Sequence, residues 1–287
     1  MAQANLPCTV QNSACGRHWL QRYMSHHLYG TDRLAAAYAY ARPPVHRQIV
    51  ARLAVAEVLA GRVIRRALDV GCGAGLSTAA LAGLAPTVVG IDPAHGMLAH
   101  HVAVAPGALF AVGRGEDLPF ATGSFDLVTA AGALNYTDTR RALAEIGRVL
   151  ATAGVLAIYD FSTGRRSPDT DGLDRWFNAF EERYPYPPGY GMDVRALDFA
   201  GAGLQLACFE PFEIALPLTA EEYIAYVLSE ANVAQAIASG VAEAEVRAWC
   251  TAELPPIFGP SALQVLFSGY TACAVRLRTP AEAQWPS

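Results

Sequence analysis

The sequence predicts an α/β fold: a doubly wound, seven-stranded and mostly parallel sheet with helices on both faces. Between residues 61 and 161, short apolar segments of strand length alternate with helical segments, which is typical of a parallel sheet covered on both sides. A turn with three glycines follows the first apolar segment, at residues 71–75. The most polar residues of this region cluster where the strands end, which is the edge at which ligands bind in such sheets.

The composition is that of a globular protein. The 287 residues are 53% hydrophobic and carry a net charge of −5, and no run of basic residues exceeds two, so nucleic acid is not an expected partner. No segment is long and apolar enough to predict a membrane span, and the polar first residues do not resemble a signal peptide. The six cysteines lack C-x-x-C spacing, which favours reduced thiols in a cytoplasmic protein. No histidine spacing fits a metal-binding template, so we expect no metal site.

Two helical segments are predicted before the alternating region. We expect one helix near residues 16–28, rich in aromatic and histidine residues, which either docks on the core or covers a pocket as a lid. Apolar residues then recur at helical spacing through residues 31–60. Arg42-Pro43-Pro44 divides this second segment into two helices, because proline disfavours helical backbone in the residue before it.

The alternating region yields five strands and three helices. The predicted strands are Ala67–Val70, Thr87–Ile91, Leu109–Val112, Phe125–Ala130 and Val155–Phe161. The predicted helices are 76–84, 94–104 and 139–150. Asp138 or Thr139 is the expected N-cap of the third helix, because both side chains can accept a hydrogen bond from the first turn.

The rest of the chain adds two strands and a helical insertion. The predicted elements are a helix over 171–183, a rigid aromatic loop over 184–191, a strand over 204–216, a helical block over 219–253 and a last strand over 272–277. Thr219 and Glu222 form a capping box at the start of the helical block. We divide the chain into an N-terminal lid helix (1–33), a core (34–218 and 266–280) and a helical cap insertion (219–265).

The glycine turn indicates a nucleotide-type ligand. Three glycines at alternate positions allow positive φ and a close approach of a ligand to the backbone. The dinucleotide fingerprint G-x-G-x-x-G is not met, because its sixth position here is Leu76 and the third glycine comes one place early. Asp92 ends the second predicted strand, 21 positions after Gly71, close to the spacing at which an acidic residue binds ribose hydroxyls.

Four motifs in order resemble the class I S-adenosylmethionine (SAM)-dependent methyltransferases of the small-molecule "type 11" branch. Residues 68–75 (LDVGCGAG) look like the first motif of that family, and residues 89–93 (VGIDP) with Met97 resemble the second. Residues 115–128 (GEDLPFATGSFDLV) are similar to its adenine-side loop and fourth strand, and residues 148–156 (RVLATAGVL) to the helix, turn and strand that follow. The resemblance implies a Rossmann-like fold and SAM as cofactor.

The resemblance also implies roles for individual residues. Asp92 would accept from the ribose hydroxyls, Met97 would pack on adenine, or simply be a core residue of its helix, and Asp69 would orient the amino-acid end of SAM. Tyr38 and Arg42 stand where relatives contact the ligand carboxylate, for which a guanidinium is well suited. The cofactor-binding set implied is Tyr38, Arg42, Asp69, Gly71, Gly73, Gly75, Asp92, Met97, Gly115, Glu116 and Ala131.

The sequence departs from the family at two positions. Arg114 stands where an acidic residue is usual, so either Glu116 accepts from the adenine amine or that contact is lost. Leu134-Asn135-Tyr136 replaces the frequent histidine pair after the fourth strand, so no base is evident there. Asn135 and Tyr136 can position an acceptor and are the predicted catalytic residues. The candidate bases elsewhere are Asp160, His18, His26, His27 and His46.

Three functions are compatible with these features. The first is methyl transfer from SAM to a small-molecule acceptor, which leaves S-adenosylhomocysteine. The second is cyclisation of SAM itself to azetidine-2-carboxylate, which releases methylthioadenosine. The third is a regulator that binds SAM or a nucleotide without turnover. The net charge disfavours an RNA substrate, and neither the acceptor nor the oligomeric state follows from the sequence.

Overall fold

A computed structural model describes residues 31–186 and 192–277 of the chain. Seven strands form one sheet in the order β3-β2-β1-β4-β5-β7-β6, in which β7 runs antiparallel to both of its neighbours and the other neighbouring pairs are parallel. The strands are β1 (Arg66–Val70), β2 (Thr87–Asp92), β3 (Leu109–Val112), β4 (Phe125–Ala131), β5 (Leu150–Phe161), β6 (Leu204–Leu218) and β7 (Leu263–Arg276).

Eleven α-helices are found in the described residues. They are α1 (Asp32–Ala41), α2 (Val45–Val55), α3 (Leu76–Leu81), α4 (His95–Leu98), α5 (His101–Val104), α6 (Thr139–Val149), α7 (Gly172–Arg183), α8 (Ala220–Leu228), α9 (Ala231–Ala238), α10 (Glu243–Glu253) and α11 (Pro255–Phe258). The helix expected near residues 16–28 lies outside the described residues, as do residues 187–191 of the expected loop over 184–191 and the residues after 277. No described helix is both long and apolar enough to cross a membrane.

Helices cover both faces of the sheet, which confirms the doubly wound architecture. Leu127 and Val128 are consecutive residues of β4, both fully buried, and belong to the hydrophobic clusters on opposite faces. Ile49 of α2 packs in the first cluster and Ile146 of α6 in the second. Strands buried on both faces explain why the sequence shows continuous apolar segments here and no alternation.

Local signals placed several helix ends correctly. The break at Pro43-Pro44 separates α1 from α2. The carboxylate of Asp138 accepts a hydrogen bond from the Arg141 N–H at the start of α6, and Thr219 and Glu222 form the expected capping box of α8. Two predicted helices are interrupted: the segment 94–104 contains the two short helices α4 and α5, and the block 219–253 contains three helices.

The last strand is longer than the sequence analysis predicted. It begins at Leu263, not at residue 272, and pairs with β6 along its whole length, from Leu218↔Leu263 to Leu204↔Arg276. Leu263, Val265 and Phe267 are buried, and the residues between them are half-buried. The alternation of buried and half-buried residues is present in the sequence, but residues 263–265 were assigned to the helical cap insertion (219–265). These three residues belong to β7.

The packing of α6 depends on a glycine in its last turn. A Cβ atom at Gly147 would collide with the carbonyl oxygen of Ala202. Gly147→Ala is therefore expected to lower the free energy of unfolding by about 1–3 kcal/mol through overpacking. The measurement is urea denaturation followed by circular dichroism. Gly83→Ala is the matched control, since no atom lies within 4 Å of its added Cβ; equal effects of the two changes would contradict the packing assigned to α6.

Candidate functional site

A cavity of about 780 Å³ lies at the carboxyl ends of the parallel strands. Its volume is within the range of small-molecule sites, about 300–1,000 Å³. We call the part around β1 and β2 the turn end; it is lined by Gly71, Gly73, Asp92, Met97, Gly115 and Glu116. We call the part around β5, β7 and the cap helices the cap end; it is lined by Asn135, Asp160, Phe161, Tyr186, Glu230 and Tyr270, among others.

The glycine turn brings bare backbone to the cavity. Gly71, Gly73 and Gly75 have φ values of 70°, 54° and 98°, which glycine adopts without strain. Gly71 and Gly73 line the cavity, and a Cβ atom on Gly71 would collide with Ala133. Gly75 does not line it; this residue starts α3, and its N–H donates to the carbonyl of Cys72 at 2.9 Å. Two of the three glycines can thus contact a ligand directly.

The structure places Asp69 behind the cavity wall. Its side chain is fully buried and accepts hydrogen bonds from the hydroxyls of Ser77 (2.6 Å), Thr78 (2.7 Å) and Thr129 (2.8 Å). Burial raises the pKa of this carboxyl, and the three hydroxyls oppose that shift. Asp69 ties β1 to α3 and β4 behind the turn, and its role in orienting the amino-acid end of SAM stays a prediction.

Asp92 connects the glycine turn to β2 and faces the cavity. One carboxylate oxygen accepts from the Gly73 N–H at 2.9 Å, and the other accepts from the Ala94 N–H at 2.8 Å. Burial raises the pKa of Asp92 in spite of these two bonds. A carboxylate has about four lone-pair sites, so each oxygen can accept one further hydrogen bond from a ligand.

The remaining residues expected at the turn end also line the cavity. Met97 is 3% exposed, and its methyl group lies 3.2 Å from the position of a Cβ on Gly73. It contributes to a small hydrophobic cluster with Ala35, Ala39 and Ala74, so it is a core residue and a wall residue at once. Gly115 and Glu116 line the same end of the cavity, and one Glu116 oxygen accepts from the Asp138 N–H at 2.9 Å.

Arg42 lines the cavity but is already paired with a protein carboxylate. Its guanidinium lies 2.8 Å from Glu230, donates to the carbonyl of Ser229 at 3.1 Å and stacks 4.3 Å over the Tyr38 ring. A ligand carboxylate was expected here, and Glu230 was not predicted as the partner of Arg42. The sequence around Glu230 contains no signal for this contact, because Arg42 and the neighbouring Ser229 are 187 residues apart in the chain.

A hydrogen-bonded group of polar side chains surrounds Glu230. The carboxylate accepts from the Tyr186 hydroxyl at 3.1 Å and from the Thr163 hydroxyl at 3.2 Å, and these two hydroxyls lie 3.0 Å apart. Glu230 is 6% exposed. The group joins β5, the loop after α7 and the cap helices, so it holds the cap against the core.

The predicted catalytic residues Asn135 and Tyr136 line the cavity, as does Ala131 at the end of β4. The Nδ2 atom of Asn135 donates to the Asp160 carboxylate at 3.2 Å, and the Phe161 N–H donates to the other Asp160 oxygen at 2.8 Å. Burial raises the pKa of Asp160. The structure thus brings together one predicted positioning residue and one predicted base.

His46 is the one histidine among the candidate bases that lies in the described residues. It is 9% exposed, lines the cavity, and its Nδ1 atom lies 3.0 Å from the Tyr159 hydroxyl. Burial, assisted by the positive charge of Arg42, lowers its pKa to about 4. The imidazole is therefore neutral at pH 7, and its conjugate acid is too strong for an effective base. His18, His26 and His27 lie outside the described residues.

Comparison with known protein sequences identifies the central part of the chain. The family model described as a methyltransferase domain, of type 11, matches residues 68–158. The demethylmenaquinone methyltransferase of Beutenbergia cavernae is 37% identical over 118 residues, 41% of this chain and 49% of that protein. The one from Corynebacterium kroppenstedtii is 39% identical over 101 residues, 34% of this chain and 42% of that protein. The chain spans about half the length of the curated relatives it matches, or less.

Solved structures share the fold over most of the chain. A protein of Anaeromyxobacter dehalogenans, described as a candidate type II methyltransferase, gives a TM-score of 0.61 at 22% identity, over 83% of this chain and 97% of that one. Phosphoethanolamine N-methyltransferase 2 of Haemonchus contortus, solved with S-adenosyl-L-methionine, gives 0.52 at 15% identity, over 90% of this chain and 60% of that one. At these identities the likeness shows the fold alone, and it confirms the predicted Rossmann-like class.

The buried His46 predicts a loss of stability in mild acid. Its pKa is about 4 in the folded chain and 6.5 in the unfolded chain, so the unfolded chain binds the extra proton between these values. Stability should therefore fall as the pH falls from 7 to 5. The wild type is expected to lose about 2 kcal/mol more free energy of unfolding over this range than His46→Gln. Denaturant titrations at the two pH values measure this difference.

The matched control for that measurement is the same change at an exposed histidine. His95 is exposed at the start of α4. If His95→Gln alters the pH dependence as much as His46→Gln does, the burial and neutral state assigned to His46 are wrong.

Proposed function

We propose that this chain, whose residues 68–158 belong to the methyltransferase domain family, is an enzyme that transfers a methyl group from SAM to a small molecule. The family resemblance noted in the sequence is confirmed by that match and by the shared fold. One observation carries the proposal: the Gly73 N–H bonds the Asp92 carboxylate at 2.9 Å, so the first two family motifs meet on the wall of one cavity.

The turn end offers suitable groups for each part of SAM. Asp92 would accept from the ribose hydroxyls with its remaining lone pairs, and the backbone of Gly71 and Gly73 would lie against the ribose and the methionine chain. Met97 would pack on the adenine ring, whose edge would meet Gly115 and Glu116. Gly75 and Asp69 serve this site indirectly, by fixing the turn and the start of α3.

Three further predicted contacts lie between the two ends. Ala131 would support SAM from the end of β4, where it lines the cavity. Tyr38 and Arg42 would lie near the methionine carboxylate. Since Arg42 already neutralises Glu230, a ligand carboxylate there would share a guanidinium that is held in place by the cap. Arg42 would therefore orient the ligand carboxylate more than it would add to the binding free energy, because its charge is already balanced by Glu230.

Methyl transfer from SAM does not require a covalent intermediate with the protein. The methyl group of a sulfonium is already activated, so the enzyme must hold the acceptor in line with the carbon–sulfur bond and exclude water. Asn135 and Tyr136, which line the same cavity as the glycine turn, would position the acceptor. The product of SAM is then S-adenosylhomocysteine, a neutral thioether.

The acceptor is proposed to be a small molecule held beneath the cap helices. The cavity continues from the turn end to aromatic residues of the cap end, and the net charge of −5 is unfavourable for a nucleic acid. The cyclase alternative uses the same cavity. Nothing in the relatives named above favours it, since each of them is described as a methyltransferase.

The products formed from SAM separate the three functions. We expect the purified protein to leave SAM intact in the absence of an acceptor and to form S-adenosylhomocysteine when a suitable acceptor is added, as measured by mass spectrometry. Methylthioadenosine with azetidine-2-carboxylate from SAM alone would refute the transferase and establish the cyclase. Tight SAM binding without either reaction over a broad acceptor panel would favour the regulator.

Replacement of Asp92 tests the proposed cofactor site. Asp92→Ala is expected to weaken SAM binding at least about tenfold, because charge-assisted hydrogen bonds of about 1.5–3 kcal/mol each are lost. Isothermal titration calorimetry measures the dissociation constant. Asp126→Ala is the matched control: this carboxylate accepts from the Arg65 and Arg66 N–H groups at the opposite edge of the sheet. Unchanged affinity in Asp92→Ala would show that SAM does not bind at β2.

A further inference from the structure

We infer that Asp160 and Asn135 bind the methyl acceptor through a hydroxyl group on an aromatic ring, and that Asp160 removes the hydroxyl proton during transfer. This inference rests on the proposed function, because it assigns the acceptor class of the same site. It depends on three features of the cap end: the hydrogen bonds of the pair, the charges around it and the aromatic wall beside it.

The pair presents hydrogen-bond acceptors to the cavity. The Nδ2 atom of Asn135 donates to Asp160 at 3.2 Å. If the amide were flipped, its oxygen would face the carboxylate, and two acceptors would repel each other. The bond to Asp160 therefore fixes which way the Asn135 amide points. The Oδ1 atom of Asn135 is then buried and accepts no hydrogen bond from any described residue. Buried polar atoms are normally satisfied, so this oxygen calls for a donor from a ligand. An O–H group placed between the two side chains can donate to this oxygen and to the Asp160 carboxylate in one bifurcated hydrogen bond, from which the proton passes to the carboxylate.

Among the described residues, no cation neutralises the Asp160 carboxylate. The other carboxylates of the cap end are paired with arginines: Glu230 with Arg42 at 2.8 Å and Glu181 with Arg165 at 3.5 Å. Within residues 31–186 and 192–277, the bonds that reach Asp160 come from the Asn135 amide and the Phe161 N–H, both uncharged. Burial raises its pKa, which makes its carboxylate a better proton acceptor than an exposed one.

The other titratable groups near this point are unsuited to remove a proton. Tyr270 of β7 lies opposite Asp160 in the sheet register; burial, with the negative charge of Asp160, raises its pKa to about 12, so it stays protonated. The Nδ1 atom of His46 is already in hydrogen-bond contact with the Tyr159 hydroxyl at 3.0 Å. Gly132 leaves space around the carboxylate, since a Cβ there would lie 3.1 Å from an Asp160 oxygen. Asp160 is thus the base that the geometry favours.

The walls of the cap end suit a flat aromatic molecule. Phe161 and Tyr270, which flank Asp160 in the sheet, line the cavity together with Phe177, Tyr186, Met192 and Tyr226. Aromatic rings favour stacked or edge-on contacts with another ring. A neutral amine could attack through its lone pair and lose its proton afterwards, whereas a hydroxyl becomes a strong nucleophile only as its proton leaves. A base within the site therefore favours a hydroxyl acceptor.

The transfer balances with Asp160 as the proton acceptor. The hydroxyl oxygen attacks the methyl carbon of the sulfonium as its proton moves to the Asp160 carboxylate. A carbon–oxygen bond forms, the carbon–sulfur bond breaks, and its electron pair remains on sulfur. The products are the methyl ether, S-adenosylhomocysteine and the neutral carboxylic acid of Asp160, which then releases its proton to solvent.

The first test measures ionisation of a bound probe and needs no turnover. 4-Nitrophenol is titrated with pH in the presence of the protein saturated with S-adenosylhomocysteine, and its absorbance reports the bound phenolate. A carboxylate beside the probe should raise its apparent pKa, so we expect a value at least about one unit lower in Asp160→Asn than in the wild type. Asp126→Asn, the same change at the opposite edge of the sheet, should match the wild type. Equal values in wild type and Asp160→Asn, or no binding of the probe, would overturn the inference.

The second test compares two acceptors of similar shape. 1-Naphthol must lose a proton on methylation, whereas quinoline is methylated on nitrogen with no proton to lose. Asp160→Asn is expected to lower the rate with 1-naphthol at least about 100-fold and the rate with quinoline less than about threefold, and Asp160→Glu should restore part of the first rate. Equal losses with both acceptors, or preferential turnover of amines such as phenethylamine over 1-naphthol by the wild type, would overturn the inference.

Calorimetry with SAM separates failure of the inference from failure of the proposed function. If wild type and Asp160→Asn both bind SAM and the probes show no dependence on Asp160, only the inference is wrong. If the wild type does not bind SAM, the proposed function is wrong and the inference fails with it. If Asp160→Asn does not fold, Asp160→Glu, which keeps the charge, replaces it in the probe titration. The raised pKa of the bound probe should then be retained. Loss of that shift in Asp160→Glu would contradict the inference.

Discussion

Asp69 carries a carboxylate into the fully buried interior, where three hydroxyl groups donate to it. A buried carboxylate is costly unless it is well hydrogen-bonded, so the arrangement of those donors is constrained. Ser77 and Thr78 must face β1, which fixes the first turn of α3. The chain must then reverse between Val70 and α3 over a few residues, and glycines at positive φ make that possible. The exposed backbone of the turn end is a consequence of this one interaction.

A second interaction, between Arg42 and Glu230, determines the other end of the cavity. Arg42 lies at the break between α1 and α2, and Glu230 precedes α9 of the cap. Each is charged and mostly buried, so neither is stable there without the other. The pair therefore holds the N-terminal helices and the cap insertion together over the strand ends. In the part of the chain that the structure describes, no arginine pairs with another carboxylate of that end, Asp160, and this is the basis of the reactivity proposed for it.

The parts that sequence reasoning predicted are those fixed by local physics. Strands β1 to β5, the glycine turn and the position of Asp92 follow from apolar segments, glycine spacing and chain direction within about 30 residues, which is the scale of one strand–helix–strand unit. The start of β7 at Leu263 was missed although its alternation was present, because the neighbouring helical block masked it. The burial of Asp69 and the pairing of Arg42 were missed for another reason. Their partners Thr129 and Glu230 come from distant segments, and a single sequence contains no signal for such contacts.

The two ends of the cavity therefore differ in what specifies them. At the turn end the cavity wall includes the backbone of Gly71 and Gly73, and backbone geometry follows from a short motif, which is why the cofactor can be proposed from residues 68–92. At the cap end the wall consists of side chains of β5, β7, the loop after α7 and the cap helices, brought together by the Arg42–Glu230 pair and the Thr163–Tyr186–Glu230 hydrogen bonds. Asn135 and Asp160 of the cap end are 25 residues apart in sequence and in hydrogen-bond contact in space. Under the proposed function, substitutions in the cap would alter acceptor chemistry without disturbing the turn proposed to hold SAM.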